Sequence, residues 1–255
     1  MRILVIGGTR NLGHEIVERL LASSHSGTLL NRVVTPDDLP LDSPRLRADR
    51  TDPLALRAAL GARTFDAVVD LFLYRGDEAR AAIEIFGGRT DRYVFISTGQ
   101  VYLVRPGLDR PYSESGYAGL VMAEPKSAHD REEWLYGVDK REVEDVFAAQ
   151  TRLPFTALRL PMVHGVRDHF QRINGYVARL LDGGPILLPE GPGFDVRHVL
   201  ASDVAQAVVD LLEGRKGLGR AYNLAQGDTL SVDDAIQLIA AGSGRKAKIV
   251  RLPRP

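Results

Sequence analysis

The 255-residue sequence contains no cysteine, no excess of charge of either sign and no long apolar run. Without cysteine there is no disulfide, no thiolate nucleophile and no Cys-ligated zinc, and a reducing compartment fits this composition. Lys+Arg and Asp+Glu both number 33, so no global field attracts nucleic acid or an anionic membrane. No stretch approaches the ~20 apolar residues of a membrane helix, and the apolar run at 3–6 is too short for a signal peptide. We therefore expect a cytoplasmic protein without membrane contact, for which nucleic acid is a disfavoured partner.

What the sequence does contain is a regular alternation of short apolar runs and amphipathic stretches. Runs with the length and composition of buried strands are Arg2–Ile6, Thr28–Leu30, Phe65–Leu73, Arg92–Ser97 and Pro154–Val163. Helices are predicted over His14–Ala22, Pro53–Leu60, Asp77–Phe86 and Glu132–Ala149. In a strand–helix–strand unit the helix connects two parallel strands by a right-handed crossover. The pattern therefore predicts an α/β fold with a Rossmann-like doubly wound parallel sheet.

The first predicted strand runs directly into a glycine-rich turn and a helix, in MRILVIGGTRNLG. Glycine permits the tight turn, lets backbone N–H groups approach a pyrophosphate and lets the helix pack closely on the strand. The usual spacing places glycines at positions 7, 10 and 13; Gly7 and Gly13 fit it, whereas Arg10 does not. A glycine-rich turn without a ligand is the alternative, but the flanking strand and helix favour a dinucleotide site.

The end of the second predicted strand is expected to meet the adenosine ribose. It holds Asn31 and Arg32, where an NAD site usually has an acidic residue. A guanidinium pairs well with a 2′-phosphate, and Arg10 could clamp the same group, so we favour NADP over NAD; both arginines could instead be solvated surface residues. Asp49 follows where a third strand should end, and it could accept a hydrogen bond from adenine or simply hold a turn.

A tyrosine and a lysine occur one helical turn apart in the segment YGVDK. This spacing puts Tyr136 and Lys140 on one face of the long helix. A nearby ammonium lowers the pKa of a phenol, which suits it for proton transfer, and the Thr98 hydroxyl could hold the reacting oxygen. The spacing is common on protein surfaces, but together with the glycine turn it predicts hydride chemistry. The segment HGVRDH, which contains His164 and His169, matches no metal-ligand spacing, so no metal site is predicted.

The alternation loosens beyond Gly165, where glycine and proline mark loops. Helices are predicted over Ser202–Glu213 and Ser231–Ala241, the latter with Asp234 in the place of the glutamate of a capping box. A strand is predicted over Lys248–Leu252. We assign residues 1–165 to a dinucleotide-binding Rossmann core with the catalytic helix. Residues 166–255 are assigned mainly to a small substrate-binding lobe, interleaved with the last core strands.

These motifs, in this order, resemble the extended short-chain dehydrogenase/reductases, the NAD-dependent epimerase/dehydratase family. The similarity runs through MRILVIGGTRNLG, YVFISTGQVY, YGVDKREVED, LRLPMVHG, RHVLASDVAQAV and AYNLAQGDTLS. It is strongest for the branch with GGTR in place of GGTG, which includes plant chloroplast stem-loop RNA-binding proteins. The resemblance implies that Thr98, Tyr136 and Lys140 are catalytic. The resemblance and the motifs described above together predict the cofactor-binding residues, which are Gly7, Thr9, Arg10, Asn11, Leu12, Gly13, Asn31, Arg32, Asp49, Arg50, Leu71, Phe72, Pro161 and Val163.

Three departures from the family pattern bear on the substrate. Phe72 and Leu73 are bulky where small residues usually let the cofactor backbone pass. Phe194 stands where sugar-nucleotide epimerases usually carry an arginine that grips the diphosphate, which argues against a nucleotide sugar. Family members usually continue several dozen residues beyond the position of Pro255, so we expect either a truncated lobe or an unusually open pocket.

We therefore expect an NAD(P)-dependent oxidoreductase or epimerase acting on a hydroxyl or carbonyl of a sugar-like molecule or secondary metabolite. Epimerisation, dehydration and reduction share the hydride step, and the sequence leaves all three open. The expected partner is a small-molecule substrate, and the sequence is compatible with a homodimer. The alternative is a redox-silent NAD(P)-binding protein of the RNA-binding type, against which the charge balance argues.

Overall fold

The computed structural model describes residues 1–34, 37–39, 44–191, 193–214 and 217–253, and a parallel sheet forms the centre of this part of the chain. The strands are β1 (Arg2–Ile6), β2 (Ser26–Asn31), β3 (Arg45–Arg47), β4 (Ala67–Asp70), β5 (Arg92–Thr98), β6 (Phe155–Leu160), β7 (Met162–His164), β8 (Ile186–Pro189), β9 (Asp195–Val196), β10 (His198–Leu200), β11 (Arg220–Asn223), β12 (Leu230–Ser231) and β13 (Ile249–Leu252). The helices are α1 (Asn11–Ala22), α2 (Pro53–Leu60), α3 (Gly76–Phe86), α4 (Gln100–Leu103), α5 (Ala128–Ala148), α6 (Arg172–Leu181), α7 (Ala201–Gly214) and α8 (Val232–Gly242).

The central sheet has the order β3-β2-β1-β4-β5-β6-β11, with every neighbouring pair parallel. The chain runs from β1 to β2 and β3 on one side, then crosses to β4 and continues on the other side. In a doubly wound sheet this reversal opens a crevice beyond the carboxyl ends of the strands. The predicted α/β fold with a Rossmann-like parallel sheet is confirmed.

Helices cover both faces of the sheet because strand side chains point alternately to either side. In β1, Leu4 and Ile6 belong to the apolar cluster under α2, α3 and α5, whereas Ile3 and Val5 belong to the cluster under α1 and α7. This two-sided burial explains why the central strands read as continuous apolar runs. Among the described residues, no helix combines the length and the apolar character needed to cross a membrane.

The predicted strand Pro154–Val163 is divided in the structure by Pro161. Proline has no N–H to donate to a ladder, so the strand ends at Leu160. The chain resumes as β7, which pairs with β10 instead of continuing in the central sheet. The break turns the chain out of the sheet at its carboxyl edge.

A small lobe is built from α6, α8, β8 and β13 around its own apolar cluster. Its buried members are Leu180, Ile186, Leu188, Val232, Ile236 and Ala240. Ser231 caps α8 by accepting from the N–H of Asp234 at 3.1 Å, as predicted, but the Asp234 carboxylate accepts from the Ser231 hydroxyl, not from its backbone N–H. Two other elements of the C-terminal part, α7 and β11, pack into the core.

Helix α5 is supported unevenly along its 21 residues. Its first turns, residues 128–133, are exposed, whereas its buried residues begin at Gly137 and continue through Phe147. Phe147 packs against Phe95 of the sheet, with ring centroids 4.8 Å apart. The second half of α5 is therefore part of the core, and the first half extends beyond it.

Candidate functional site

One cavity of about 1310 Å³ runs along the carboxyl edge of the sheet and continues to the small lobe. It brings together side chains that lie far apart in the sequence. Of the predicted site residues, its wall includes Gly7, Thr9, Arg10, Asn11, Leu12, Gly13, Asn31, Arg32, Asp49, Arg50, Leu71, Phe72, Thr98, Tyr136, Pro161 and Val163. Lys140 lies behind this wall and is only 2% exposed.

The turn between β1 and α1 forms an open cradle because side chains are excluded from it. Gly7 has φ +102°, in the region that favours glycine, and a Cβ there would lie 2.6 Å from the Phe72 ring. A Cβ on Gly13 would lie 2.7 Å from the N and Cα of Gly8, so α1 packs on the turn only with glycine at this position. Arg10 precedes α1 without a side-chain cap, which leaves the first N–H groups of the helix available to an anion.

The adenosine end of this cradle is polar. The Asn31 amide nitrogen is buried and has no hydrogen-bond partner among the described residues, whereas its Oδ1 accepts from the N–H of Val33 at 2.9 Å. Arg32 is exposed, with Nη1 4.0 Å from Oδ2 of Asp49. Asp49 accepts from the N–H and hydroxyl of Thr51 at 2.9 and 2.7 Å, and these bonds lower the pKa of Asp49. Asp49 thus holds a turn, one of its two predicted roles, while still bordering the cavity.

The Arg50 side chain lines the cavity, and its guanidinium is paired within the protein. It is buried, with Nε donating to Oδ2 of Asp70 at 3.0 Å. Burial alone lowers the pKa of Arg50, but the attraction of the Asp70 carboxylate outweighs it and the pKa is raised. Arg50 therefore supports the cavity floor, and its place beside adenine stays a prediction.

Thr98, at the end of β5, and Tyr136, on α5, meet at the cavity wall. The Thr98 hydroxyl and the Tyr136 phenol share a hydrogen bond. Burial raises the pKa of Tyr136, and this hydrogen bond opposes the rise only in part. The phenol is consequently protonated at neutral pH and is 37% exposed to the cavity.

The Lys140 ammonium donates to the main-chain oxygens of Leu73 at 2.8 Å and Ile96 at 2.9 Å. Its Nζ lies 4.5 Å from the centroid of the Tyr74 ring and 5.9 Å from that of Tyr136. Burial lowers the pKa of Lys140 to about 8. The expectation of a lowered pKa for Tyr136 beside Lys140 is wrong, because burial of the phenol dominates and the pKa is raised.

An aromatic pair follows β4, and we call Phe72 and Tyr74 the aromatic shelf. Their ring centroids are 6.2 Å apart, and both line the cavity. Leu73, which was expected to crowd the cofactor edge together with Phe72, is fully buried in the core, and Tyr74 takes that place. The sequence analysis missed Tyr74, although continuing the two-residue alternation past the strand would have put it on the same side as Phe72.

A buried ion pair anchors α5 to the sheet one turn beyond Lys140. Arg159 of β6 donates through Nε to Oε1 of Glu144 at 3.0 Å, and both residues are buried. Ser97 of β5 also donates to Glu144. Since Glu144 lies on the same helix as Tyr136, this network fixes the position of the helix that carries the predicted catalytic residues.

The end of the cavity next to the small lobe, which is the predicted substrate end, combines aromatic, cationic and amide side chains from several loops. It is lined by Gln100, Arg110, Tyr112, Glu133, His169, Phe170, Arg172, Phe194 and Arg197. Apart from His169 and Phe194, these residues were not singled out in the sequence, because no fixed spacing links loops that meet only in the fold. Arg172 pairs with Asp168 at 3.0 Å, so part of the positive charge is balanced locally.

Beside Pro161 and Val163, the two histidines of β7 and β10 lie in contact. His164 Nε2 is 2.5 Å from His198 Nδ1, and burial lowers the pKa of both imidazoles. In the described ranges no group of three or more metal-ligating side chains occurs. The pair therefore joins β7 to β10 at the cavity edge as neutral rings.

No protein-family model matches the chain. Among curated proteins, it is 25% identical over 260 residues to 2'-dehydrokanamycin reductase of Streptomyces kanamyceticus, covering 99% of the chain and 70% of that protein. It is 24% identical over 257 residues to the chloroplast stem-loop binding protein of 41 kDa b of Arabidopsis thaliana, covering 95% of the chain and 63% of that protein. The chain thus spans less than two thirds of this second relative.

Solved structures with the same fold include several sugar-nucleotide enzymes. The UDP-glucose 4-epimerase of Thermotoga maritima with UDP-glucose matches with a TM-score of 0.78 and 19% identity, over 100% of the chain and 86% of that structure. The NAD complex of the Thermus thermophilus enzyme of the same name matches with a TM-score of 0.75 and 22% identity, over 99% and 86%. The dTDP-glucose 4,6-dehydratase of Bacillus anthracis with NAD matches with a TM-score of 0.78 and 17% identity, over 100% and 85%. At these identities the matches establish the fold.

Proposed function

We propose that this chain is a member of the extended short-chain dehydrogenase/reductase family and acts as an NAD(P)-dependent oxidoreductase. Its substrate is a small sugar-like molecule or secondary metabolite, acted on at a hydroxyl or carbonyl. One observation carries the proposal: Thr98 and Tyr136 meet beside the glycine cradle in a single cavity, with Lys140 directly behind them.

The residues of the cradle fit a dinucleotide. Gly7 and Gly13 keep the turn clear of side chains, as close approach of a pyrophosphate requires. The unpartnered amide nitrogen of Asn31 is a donor in the place expected for the adenosine ribose. The cavity also has room for a substrate beyond the cofactor.

A bound nicotinamide would supply or accept the hydride, and the chain's own residues handle the proton. Tyr136 is a neutral phenol at physiological pH, so in the reductive direction it donates its proton to the carbonyl oxygen as that oxygen gains negative charge. The Thr98 hydroxyl bonds the phenol and orients it toward the same oxygen. Lys140, held by two carbonyl groups, stabilises the phenolate that remains after transfer.

NADP is the cofactor that we propose in preference to NAD. Arg32 presents an exposed guanidinium at the end of β2, its nearest carboxylate oxygen lying 4.0 Å away on Asp49. Arg10 borders the same cavity. Two arginines can form charge-assisted bonds to a 2′-phosphate, which NAD lacks.

Reduction of a carbonyl is the reaction that the substrate end favours over nucleotide-sugar epimerisation. Phe194 lines the cavity and occupies the position at which the family resemblance implies an arginine that grips the diphosphate. A curated relative, of which the chain covers 70%, is itself named a reductase. Aromatic and amide side chains such as Tyr112 and Gln100 suit a polyhydroxylated ring, which offers both apolar faces and hydrogen-bonding edges.

The experiment combines cofactor analysis with an assay. Mass spectrometry of the purified protein identifies any bound dinucleotide, calorimetry measures the affinities for NADPH and NADH, and a panel of ketones and keto-sugars is scanned for NADPH oxidation. We expect tighter binding of NADPH and turnover of at least one carbonyl with release of NADP⁺. Absence of binding by either cofactor at millimolar concentration would overturn the proposal.

The redox-silent binding protein is the second candidate, and the similarity to the chloroplast stem-loop binding protein favours it. The balance of 33 basic and 33 acidic residues argues against it, because RNA binders concentrate positive charge. An RNA gel shift at two salt concentrations separates the two functions. Salt-sensitive RNA binding, together with inactivity on the whole carbonyl panel, would reverse our ranking.

A further inference from the structure

We propose that Tyr74 is a displaceable cover over Lys140, and that the nicotinamide half of the cofactor must move it aside to reach the lysine. This inference rests on the proposed function. It assigns a role to a side chain for which the reaction itself has no use. Tyr74 is 40% exposed on the cavity wall, whereas Lys140 behind it is 2% exposed.

The contacts of the Lys140 ammonium show why a ligand must displace a neighbour before it can bond this group. Two of them bond the carbonyls of Leu73 and Ile96, at 2.8 and 2.9 Å. The Tyr74 ring, with its centroid 4.5 Å from Nζ, lies nearer than the Tyr136 ring, at 5.9 Å. An ammonium has three N–H groups, so Lys140 has none left for an incoming hydroxyl group while all these contacts persist.

Of the three contacts, the one with Tyr74 is the easiest to exchange. Ile96 belongs to β5, and Leu73, just beyond β4, is fully buried, so neither carbonyl can move without disturbing the core. The Tyr74 ring sits on an exposed segment beyond β4, and a cation–π contact is weaker than a charge-assisted hydrogen bond. The ring is also 6.3 Å from that of Tyr136, so its displacement opens the approach to both Lys140 and Tyr136.

The backbone at Tyr74 allows the ring to move while its own segment stays in place. Its N–H donates to Oε2 of Glu78 at 2.7 Å, which fixes the main chain at the start of α3. The ring lines the cavity next to Phe72 and is 40% exposed. Rotation about the side-chain bonds is therefore sufficient to uncover the lysine.

The test compares wild-type protein with Tyr74→Ala and with Tyr74→Phe, which keeps the ring and serves as the matched control. Calorimetry measures the affinity for NADPH and, separately, for 2′,5′-ADP, which represents only the adenosine half. We expect Tyr74→Ala to bind NADPH about three- to tenfold more tightly, since no ring contact has to be broken, with 2′,5′-ADP affinity unchanged. Tyr74→Phe should bind both ligands like the wild type.

A second readout needs no cofactor. Reductive methylation of the free protein, followed by peptide mass spectrometry, reports how accessible Lys140 is. We expect Tyr74→Ala to accelerate methylation of Lys140 about three- to tenfold and Tyr74→Phe to leave it unchanged. Equal methylation of Lys140 in wild type and Tyr74→Ala, or equal NADPH affinity in the two, would overturn the cover. Wild-type protein that binds neither NADPH nor 2′,5′-ADP would refute the proposed function, while the methylation rates still test the cover.

Discussion

The Arg50 guanidinium and the Asp70 carboxylate form a buried pair directly beneath the aromatic shelf, with Nε 3.0 Å from Oδ2. The second carboxylate oxygen, Oδ1, accepts from the N–H of Phe72 at 2.9 Å, and the Tyr93 hydroxyl also bonds Asp70. One acidic side chain therefore links the loop after β3, the end of β4 and the core of β5. The shape of the cavity floor depends on it.

Replacing Asp70 by Ala should destabilise the protein by about 3–5 kcal/mol, because it leaves the buried Arg50 without its counter-ion. Urea denaturation followed by circular dichroism measures the change. Glu84→Ala, which removes the exposed partner of Arg57, is the matched control and should cost less than about 1 kcal/mol. Equal effects of the two substitutions would contradict a structural role for the buried pair.

Gly13→Ala should abolish cofactor binding and destabilise the fold, since the new Cβ would lie 2.7 Å from backbone atoms of Gly8. Calorimetry and thermal unfolding test both effects. Gly175→Ala on α6 is the control: a Cβ there meets nothing within 4 Å, so it should leave binding intact and raise stability by up to about 1 kcal/mol. Unimpaired cofactor affinity in Gly13→Ala would show that the cradle is not used.

Tyr136→Phe should lower kcat by about 10²–10⁴-fold, because the phenol that donates the proton is lost while the ring remains. Cofactor affinity should change little. Steady-state kinetics on the best carbonyl of the panel, with calorimetry alongside, separate the two effects. Tyr117→Phe, which changes a phenol bonded to Asp145 outside the site, is the control for the loss of a hydroxyl; near-normal turnover in Tyr136→Phe would exclude it as the acid.

Arg32→Ala should weaken NADPH binding about tenfold and leave NADH binding nearly unchanged. Only NADPH carries a 2′-phosphate, and this group loses the Arg32 guanidinium as its partner. The difference should shrink as salt is raised, since the guanidinium is exposed. Arg47→Ala, at the exposed end of β3, is the control. A parallel loss of both affinities would point to a general effect on the fold and against NADP selectivity.

The buried charge of Lys140 makes stability depend on pH. Its pKa is about 8 in the folded protein and 10.5 as a free side chain, so the unfolded chain binds the proton more tightly. Below pH 8 Lys140 is protonated in both the folded and the unfolded protein. The free energy of unfolding is then lowered by the full cost of burying the ammonium. The penalty is relieved as the pH rises from 8 to 10.5.

We therefore expect the free energy of unfolding of the wild type, minus that of Lys140→Met, to rise by on the order of 3 kcal/mol across this window. Urea titrations at several pH values measure it. Lys126→Met, at an exposed position, is the control and should keep the wild-type pH dependence. A difference between wild type and Lys140→Met that does not change with pH would contradict the burial of a charged lysine.

The features that could be predicted from the sequence are those in which the packing of the whole fold requires a particular local residue pattern. The apolar runs of β4 and β5 could be read because burial on both faces demands continuous hydrophobicity. Gly13 could be read because helix–strand packing leaves no space for a side chain. The meeting of Thr98 with Tyr136 also follows from the chain order, since one ends a strand and the other lies on the helix beside it.

What could not be predicted depends on side-chain direction and on loops. The sequence gives no sign that the Arg50 guanidinium turns to Asp70, twenty residues away, or that the charge of Lys140 is engaged by backbone oxygens. The arginines of the substrate end come from segments with no common period. Tyr74 lies just beyond a strand end, where alternation is usually no longer applied.

Because only the second half of α5 packs on the core, Tyr136 and Lys140 are held in place to different degrees. Lys140 lies in the half clamped to the sheet by Glu144 and Phe147, whereas Tyr136 is the last residue before that half begins. The exposed turns ahead of it line the cavity through Glu133. The phenol of Tyr136 thus stands where the cavity wall meets the packed part of the helix, whereas the ammonium of Lys140 lies wholly within the packed part.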